Sequence, residues 1–369
     1  MPGNRGHRVV VAGGGVIGLA VAAVTLRRSP EVCVTVLEKA GVGGGASAHA
    51  GTIDIPYCNT ERHRRLVEAS WAWHDACAAS AEYRRPVPIN WYAEPGDAES
   101  SLRSRVLPPL SPHRPGGAAE WRAPEGVEEY RGRAFVIDCP AWCRALARDV
   151  ELSGRGRIVE RAAVVAIEEK TTAEGAATAA VRCADGTVYD AEHVVLCLGP
   201  WLPGWSQPAA SWAGDRHLRT KRIAGLNVDV HSDRRPQHAV AWPSRDLHFH
   251  PAFGGGEYRM SFRHPEWDVD PDQPATLAGA NLGPVNQFLD RLLGAGRWSV
   301  SGHRVFADTY TPDFTPIVER CPPLGKNVTV VTGTHGSGVR LAPGIADLVA
   351  REVLASLSLA ETCVPVTAS

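Results

Sequence analysis

The stretch that most narrows what this chain can become is Gly13-Gly14-Gly15-Val16-Ile17-Gly18, set between an apolar run and a segment rich in Ala, Val and Leu. Glycines at the first, third and sixth places have separate tasks: a tight turn, close backbone approach to a pyrophosphate, and packing of helix on strand. Residues 7 to 12 predict a buried parallel strand, residues 15 to 28 a helix, and Val32 to Glu38 a second strand, which together make a right-handed βαβ unit. The helix N-terminus offers unpaired N–H groups and a positive dipole end to phosphates. Glu38 follows Gly18 by 20 residues, where a carboxylate can accept from ribose hydroxyls and disfavours a 2′-phosphate. Gly13, Gly15, Val16, Ile17, Gly18, Glu38 and the adjacent Lys39 are therefore expected to bind a dinucleotide. This motif by itself leaves FAD and NAD both open.

At 369 residues, 44% hydrophobic, the chain exceeds one ordinary domain, so two domains or one with a large insertion are expected. A net charge of -1 without a Lys/Arg tract argues against nucleic acid or a membrane surface as partner and for a small molecule. No apolar run approaches the roughly eighteen residues of a membrane span, and glycines interrupt the N-terminal run, so a cytoplasmic enzyme is expected. Nine cysteines without a two-residue pair spacing suggest neither a disulfide framework nor a zinc site, and no metal is expected. Cys139 and Cys143 read as buried small side chains.

Further along, residues 60 to 85 read as an amphipathic helix, and 86 to 138 as loops and short strands that could shape a lid. A helix is expected at 140 to 152. Short β runs follow: 162 to 168, 179 to 183, 194 to 198, and several within 222 to 264. Helical signals cover 275 to 293 and 342 to 354, with a last strand at 328 to 332. The fold class is α/β: a Rossmann-type domain interrupted by a mainly antiparallel β domain. The expected cofactor domain comprises 1–85, 140–222 and 300–369, and the substrate domain 86–139 and 223–299.

Three separated motifs share one resemblance. The first is the glycine signature with Glu38 and the small residues Gly41 to Gly45 and Ala46-Ser47-Ala48-His49-Ala50-Gly51. The second is Val194-Val195-Leu196-Cys197-Leu198-Gly199-Pro200-Trp201. The third is Thr311-Pro312-Asp313 followed by Val330-Val331-Thr332-Gly333-Thr334-His335-Gly336-Ser337-Gly338-Val339-Arg340. Together they resemble the D-amino acid oxidase superfamily, most closely glycine oxidase and sarcosine oxidase. The last motif makes physical sense as a second backbone cradle, because its glycines precede a helix whose N–H groups can face charge accumulating on a reduced flavin.

The resemblance implies FAD as cofactor, held also by Ala46, Ser47, Ala48, His49, Gly51, Thr52, Val164, Gly199, Trp201, Gly333, His335, Gly336, Ser337, Gly338 and Val339. It implies non-covalent binding, since Phe306 stands near the position of the flavin-linking cysteine of sarcosine oxidases. It implies substrate contacts at Thr52, at Arg304 as the carboxylate-binding arginine, at Arg340 where sarcosine oxidases place a lysine, and at His248 and His250 on a strand facing the substrate. Tyr258, Arg263 and His264 are second candidates.

The implied reaction oxidises glycine, an N-substituted glycine or a related amino acid by hydride transfer to the flavin. The imine then hydrolyses and O2 is reduced to H2O2. Transfer of electrons to a quinone or protein acceptor remains open, as does a homo-oligomer. Gly336 stands where glycine oxidase has a further arginine. That departure and the long insert lean toward a secondary amine, such as an N-carboxymethyl amino acid of specialised metabolism.

Overall fold

The computed structural model describes residues 6–50, 52–94, 99–113, 124–173, 175–231, 237–274 and 276–361. His7–Ala12, Val16–Arg28 and Val32–Leu37 form the expected strand, helix and strand. The two strands pair in parallel from His7↔Val32 to Ala12↔Leu37. They belong to a six-stranded sheet ordered Ile317–Arg320, Val328–Thr332, His193–Leu196, His7–Ala12, Val32–Leu37, Gly156–Val159. Its inner strands are near-continuous apolar runs because helices cover them, and Ile317–Arg320 joins antiparallel at one edge. The helix Val16–Arg28 packs on one face with Gly338–Ser356 and Cys139–Leu152, and its Ala and Val residues are almost all buried.

A nine-stranded sheet makes the second layer. Its order is Trp298–Tyr310, Arg219–Val230, Tyr258–Phe262, Leu247–Pro251, Ala239–Trp242, Arg84–Ala93, Glu128–Ile137, Ile53–Asp54, with Ser111–Pro112 beside Glu128–Ile137. A separate three-stranded meander holds Val164–Thr171, Ala177–Cys183 and Val188–Ala191. The longest pairing runs antiparallel from Arg219↔Tyr310 to Val230↔Trp298. These strands straddle the expected boundaries at 222 and 300.

Three expectations change. The helix expected over 60 to 85 ends at Ala76, and Arg84 already enters a strand. Its guanidinium is buried against Asp54, so the chain is drawn into the sheet there. Among the described residues of 86 to 138, one strand pair is longer than the short strands expected. Arg84–Ala93 pairs along its whole length with Glu128–Ile137. Pro86 and Pro88 hid that strand, yet they fall before the point, Ile89 to Trp91, where its other edge meets Ala239–Trp242, so no ladder donor is lost. The helix expected over 275 to 293 is confined to Gly283–Leu293. No helix among the described residues is long and apolar enough to cross a membrane.

Candidate active site

A cleft of about 1110 Å³ runs between the two layers. That is above the roughly 300–1,000 Å³ of an ordinary small-ligand pocket, enough for a dinucleotide with a small substrate beside it.

At one end, Gly13, Gly15, Val16, Ile17 and Gly18 border the cleft with Glu38 and Lys39. Gly13 has φ +107°, and a Cβ there would come within 2.2 Å of the Cys197 carbonyl oxygen. A Cβ on Gly18 would stand 2.0 Å from the Gly13 carbonyl oxygen. The backbone is thus packed on backbone, and only glycine fits. Glu38 is buried and accepts from Gly14 N–H at 2.7 Å and Ala40 N–H at 2.9 Å. Val16 N–H donates to Ser47 Oγ at 3.0 Å, whereas the N–H groups of Gly15, Ile17 and Gly18 have no acceptor among the described residues. They are what a phosphate would take. Lys39 lies 3.6 Å above the Trp201 ring, and Asp272 joins both, accepting from Lys39 at 3.1 Å and Trp201 Nε1 at 2.7 Å.

Ala46, Ser47, Thr52, Val164, Gly199 and Trp201 also border the cleft, as expected of them. Ala48 and His49 do not. The turn that holds them directs His49 onto Phe306, with ring centroids 6.2 Å apart. Gly51 lies outside the described residues.

The second cradle is built by two elements. His335, Gly336, Ser337, Gly338, Val339 and Arg340 line the cleft, while Gly333 lies behind it. Gly333 N–H donates to Thr309 Oγ1 at 2.9 Å, and Gly336 N–H to Asp308 at 2.5 Å, so neither faces a ligand. The free donors are the N–H groups of Gly338, Val339 and Arg340, the first turn of Gly338–Ser356, for which no acceptor exists among the described residues. His335 sits at φ +53°, and its Nε2 accepts from Thr311 N–H at 2.9 Å. The ring therefore carries its proton on Nδ1, a buried atom with no partner. Burial, above all, pushes its pKa down to about 3, so the ring is neutral. Thr311, from the Thr-Pro-Asp element, is the residue that fixes it.

The strands Arg219–Val230 and Trp298–Tyr310 supply the wall between the cradles. Alternation puts Lys221 and Ile223 on the same face as Phe306, Asp308 and Tyr310, all on the cleft. His248, Arg263 and His264 border it too, with His248 held near 4 mainly by burial. His250 does not. It is fully buried, its Nδ1 2.9 Å from the Pro251 carbonyl. Tyr258 is also inside the core, stacked on Phe249.

Arg340 lines the cleft but its guanidinium is engaged, donating to the carbonyls of Ile55 (2.9 Å) and Tyr57 (2.6 Å) and to Ser337 Oγ (2.8 Å). It pins the loop at 55–57 to the helix start. Arg304 is not on the cleft wall. It follows Phe306 on the same strand face, donates to Asn227 Oδ1 and the His49 carbonyl at 3.2 Å each, and leaves Nη2 buried without a partner. Burial first, then the nearby Arg259, lowers its pKa to about 10.

Sequence reading missed Lys221, Asp246, Ser261, Asp308 and Tyr310, all lining the cleft. The period-two spacing of Lys221 with Ile223, and of Phe306 with Asp308 and Tyr310, was the available signal. Without the partner strand it could not say which face met the cleft.

The donors suit FAD. Two helix N-termini open into one cleft, the buried His335 Nδ1–H lacks an acceptor between them, and Glu38 stands at the ribose end. The backbone of Gly15 to Gly18 would hold the pyrophosphate, and that of Gly338 to Arg340 the flavin's pyrimidine edge. The bound flavin would supply a two-electron acceptor.

Comparison with known proteins agrees. Residues 8–352 match the family model described as FAD dependent oxidoreductase. Among curated proteins, none matches the chain. Similar solved structures include fructosamine oxidase from Aspergillus fumigatus, 17% identical over 95% of this chain and 87% of that one, TM-score 0.77. L-Proline dehydrogenase from P. horikoshii is 17% identical over 98% and 96%, TM-score 0.76. Glycine oxidase from Geobacillus kaustophilus is 18% identical over 98% of each, TM-score 0.74. With the two cradles, the family match and the shared architecture in agreement, the chain belongs to the FAD-dependent oxidoreductase family typified by D-amino acid oxidase, and it is an FAD-dependent enzyme.

Proposed function

We propose that this enzyme oxidises glycine, an N-substituted glycine or a related amino acid at the carbon bearing nitrogen, giving an imine that hydrolyses, with O2 reduced to H2O2. The observation that carries the reading is the wall between the cradles: a sheet face with cationic and anionic side chains, Lys221 and Asp308, set against neutral His248 and His335. A zwitterionic substrate is matched by such a face, and a hydrocarbon or sugar is not. The neighbours named above as fructosamine oxidase, L-proline dehydrogenase and glycine oxidase point the same way.

In this reading the parallel sheet and its helices carry non-covalently bound FAD, and the nine-stranded sheet carries the substrate. Arg304 stands behind the cleft wall, two residues along its strand from Phe306, and is the better candidate for the carboxylate because its Nη2 is unpaired while the donors of Arg340, which does line the cleft, are engaged. Placing the α-carbon near the flavin accounts for much of the rate, with no protein base required for hydride loss itself. A cytoplasmic location belongs to the same proposal.

Anaerobic mixing with glycine and a panel of N-alkyl glycines tests it. Bleaching of the flavin band by any of them is expected, and a band unchanged by all would overturn the substrate class. A second reading, an FAD dehydrogenase serving a quinone or protein acceptor, is favoured by the likeness to L-proline dehydrogenase. Stoichiometric peroxide under air supports the oxidase, and its absence with dye-linked turnover supports the dehydrogenase.

A further inference from the structure

Asp308 is a carboxylate on the cleft wall without a countercharge. It is 7% exposed, and no Lys, Arg or His stands within ion-pair distance among the described residues. The residue directly across the strand pair is Lys221, the natural partner by register. Its ammonium is drawn off instead, between the Trp267 and Tyr310 rings at 5.2 and 5.3 Å and toward Asp246 at 3.9 Å. What Asp308 receives is neutral: the N–H of Gly336 (2.5 Å), the N–H of Thr309 (2.8 Å) and Thr334 Oγ1 (3.3 Å). Those donors orient the carboxylate from the side of the second cradle. Thr334 Oγ1 lies 3.3 Å from both carboxylate oxygens and has one proton to give, so three donors serve a group that accepts about four hydrogen bonds. A buried anion so placed is stabilised by any cation that enters the cleft.

We propose that Asp308 is the residue that receives the substrate's amino nitrogen and takes a proton from it. This rests on the reading that the substrate is an amine. The ammonium N–H bond breaks, an O–H bond forms on Asp308, and the substrate is left as the neutral amine with the lone pair that hydride loss from the adjacent carbon requires. Burial favours this direction because it penalises both charges, raising the carboxyl pKa and lowering that of the amine. The acid already shows the effect, pushed up to about 6 by desolvation. The inference also says what the site selects. A primary or secondary amine that can give up a proton fits, and a quaternary one does not.

The test separates the two ends of an amino acid by calorimetry on the FAD-loaded protein, with isopropylamine as the amine probe and isobutyrate as the acid probe. Asp308→Asn is expected to weaken isopropylamine about 30-fold or more, the scale of a hydrogen bond to a charged group, and to leave isobutyrate unchanged or tighter. Wild-type affinity for isopropylamine should rise with pH through about 6, as Asp308 ionises, and this limb should vanish in the variant.

The groups facing Asp308 do not produce such a limb. His335 is neutral down to about 3, His248 is held near 4 and His264 is lowered by burial, Asp313 lies below the usual carboxylate range, Tyr310 titrates far above, and Lys221 is lowered by burial and held up by Asp246. Equal isopropylamine affinity in wild type and variant, or an equal loss of both probes, overturns the proposal. So does a flat pH profile in the wild type, a measurement that needs no variant. If substrates still bleach the flavin under any of those outcomes, only the role of Asp308 has failed. If no amine bleaches it, the functional reading has.

Discussion

The two glycine cradles face the same cleft but are made rigid in different ways. In the N-terminal one, an added Cβ meets backbone: the Cys197 carbonyl from Gly13 and the Gly13 carbonyl from Gly18. In the C-terminal one it meets side chains: Thr311 Cγ2 at 2.7 Å from Gly333, and Ile223 Cδ1 at 3.3 Å from Gly336. The first is a turn closed on its own backbone at Gly18 and on the neighbouring strand's backbone at Gly13. The second is propped by Thr309, Asp308 and Thr311, which arrive on a strand of the other layer. Close packing against backbone admits no relaxation, whereas side chains move by rotamer change. The first cradle should therefore fail outright under substitution, and the second should loosen by degrees.

The sharpest way to break this contrast is Gly18→Ala. With only 2.0 Å to a carbonyl oxygen, it is expected to cost about 4 kcal/mol or more, giving little soluble yellow protein. Normal FAD content after purification would refute the contrast. Next, Thr309→Val strands two buried donors, the Gly333 N–H at 2.9 Å and Thr332 Oγ1 at 3.1 Å, at about 2–3 kcal/mol. Urea denaturation should show that loss, with FAD affinity falling and not abolished.

Acid sensitivity probes the second cradle without disturbing its packing. His335 has a folded pKa of about 3 against 6.5 unfolded, so the unfolded state binds more protons between those values and stability falls as pH drops below 6.5. By pH 5 this residue alone contributes about 2 kcal/mol of loss. His335→Gln should flatten the urea midpoint between pH 7 and 5 relative to wild type; an unchanged slope would count against the neutral ring. The smallest effect belongs to Gly336→Ala. At φ +69° with a mobile isoleucine end nearby, it should cost about 1 kcal/mol and retain flavin.

Local chemistry explains how far the sequence carried. Gly13 to Gly18 and Glu38 were legible because the strand, turn, helix and carboxylate lie within one continuous stretch. The C-terminal helix start was legible as glycines before a helix, but the residues that prop it from the other layer were not. The strand Arg84–Ala93 was not, since its prolines mark an edge that exists only once Ala239–Trp242 pairs part of the way along it. Arg304 and His250 were expected at the substrate from the resemblance alone, and neither borders the cleft: Arg304 donates to Asn227 and the His49 carbonyl behind Phe306, and His250 lies in the core.

By itself the sequence determined the dinucleotide cradle, because strand, glycine turn, helix and second strand follow one another without interruption, although the Cys197 carbonyl that crowds Gly13 comes from a distant strand. Only the tertiary structure decided which charged residues border the cleft. The register of Arg219–Val230 against Trp298–Tyr310 sets Lys221 opposite Asp308, and a shift of one residue would put the two on opposite faces of the sheet.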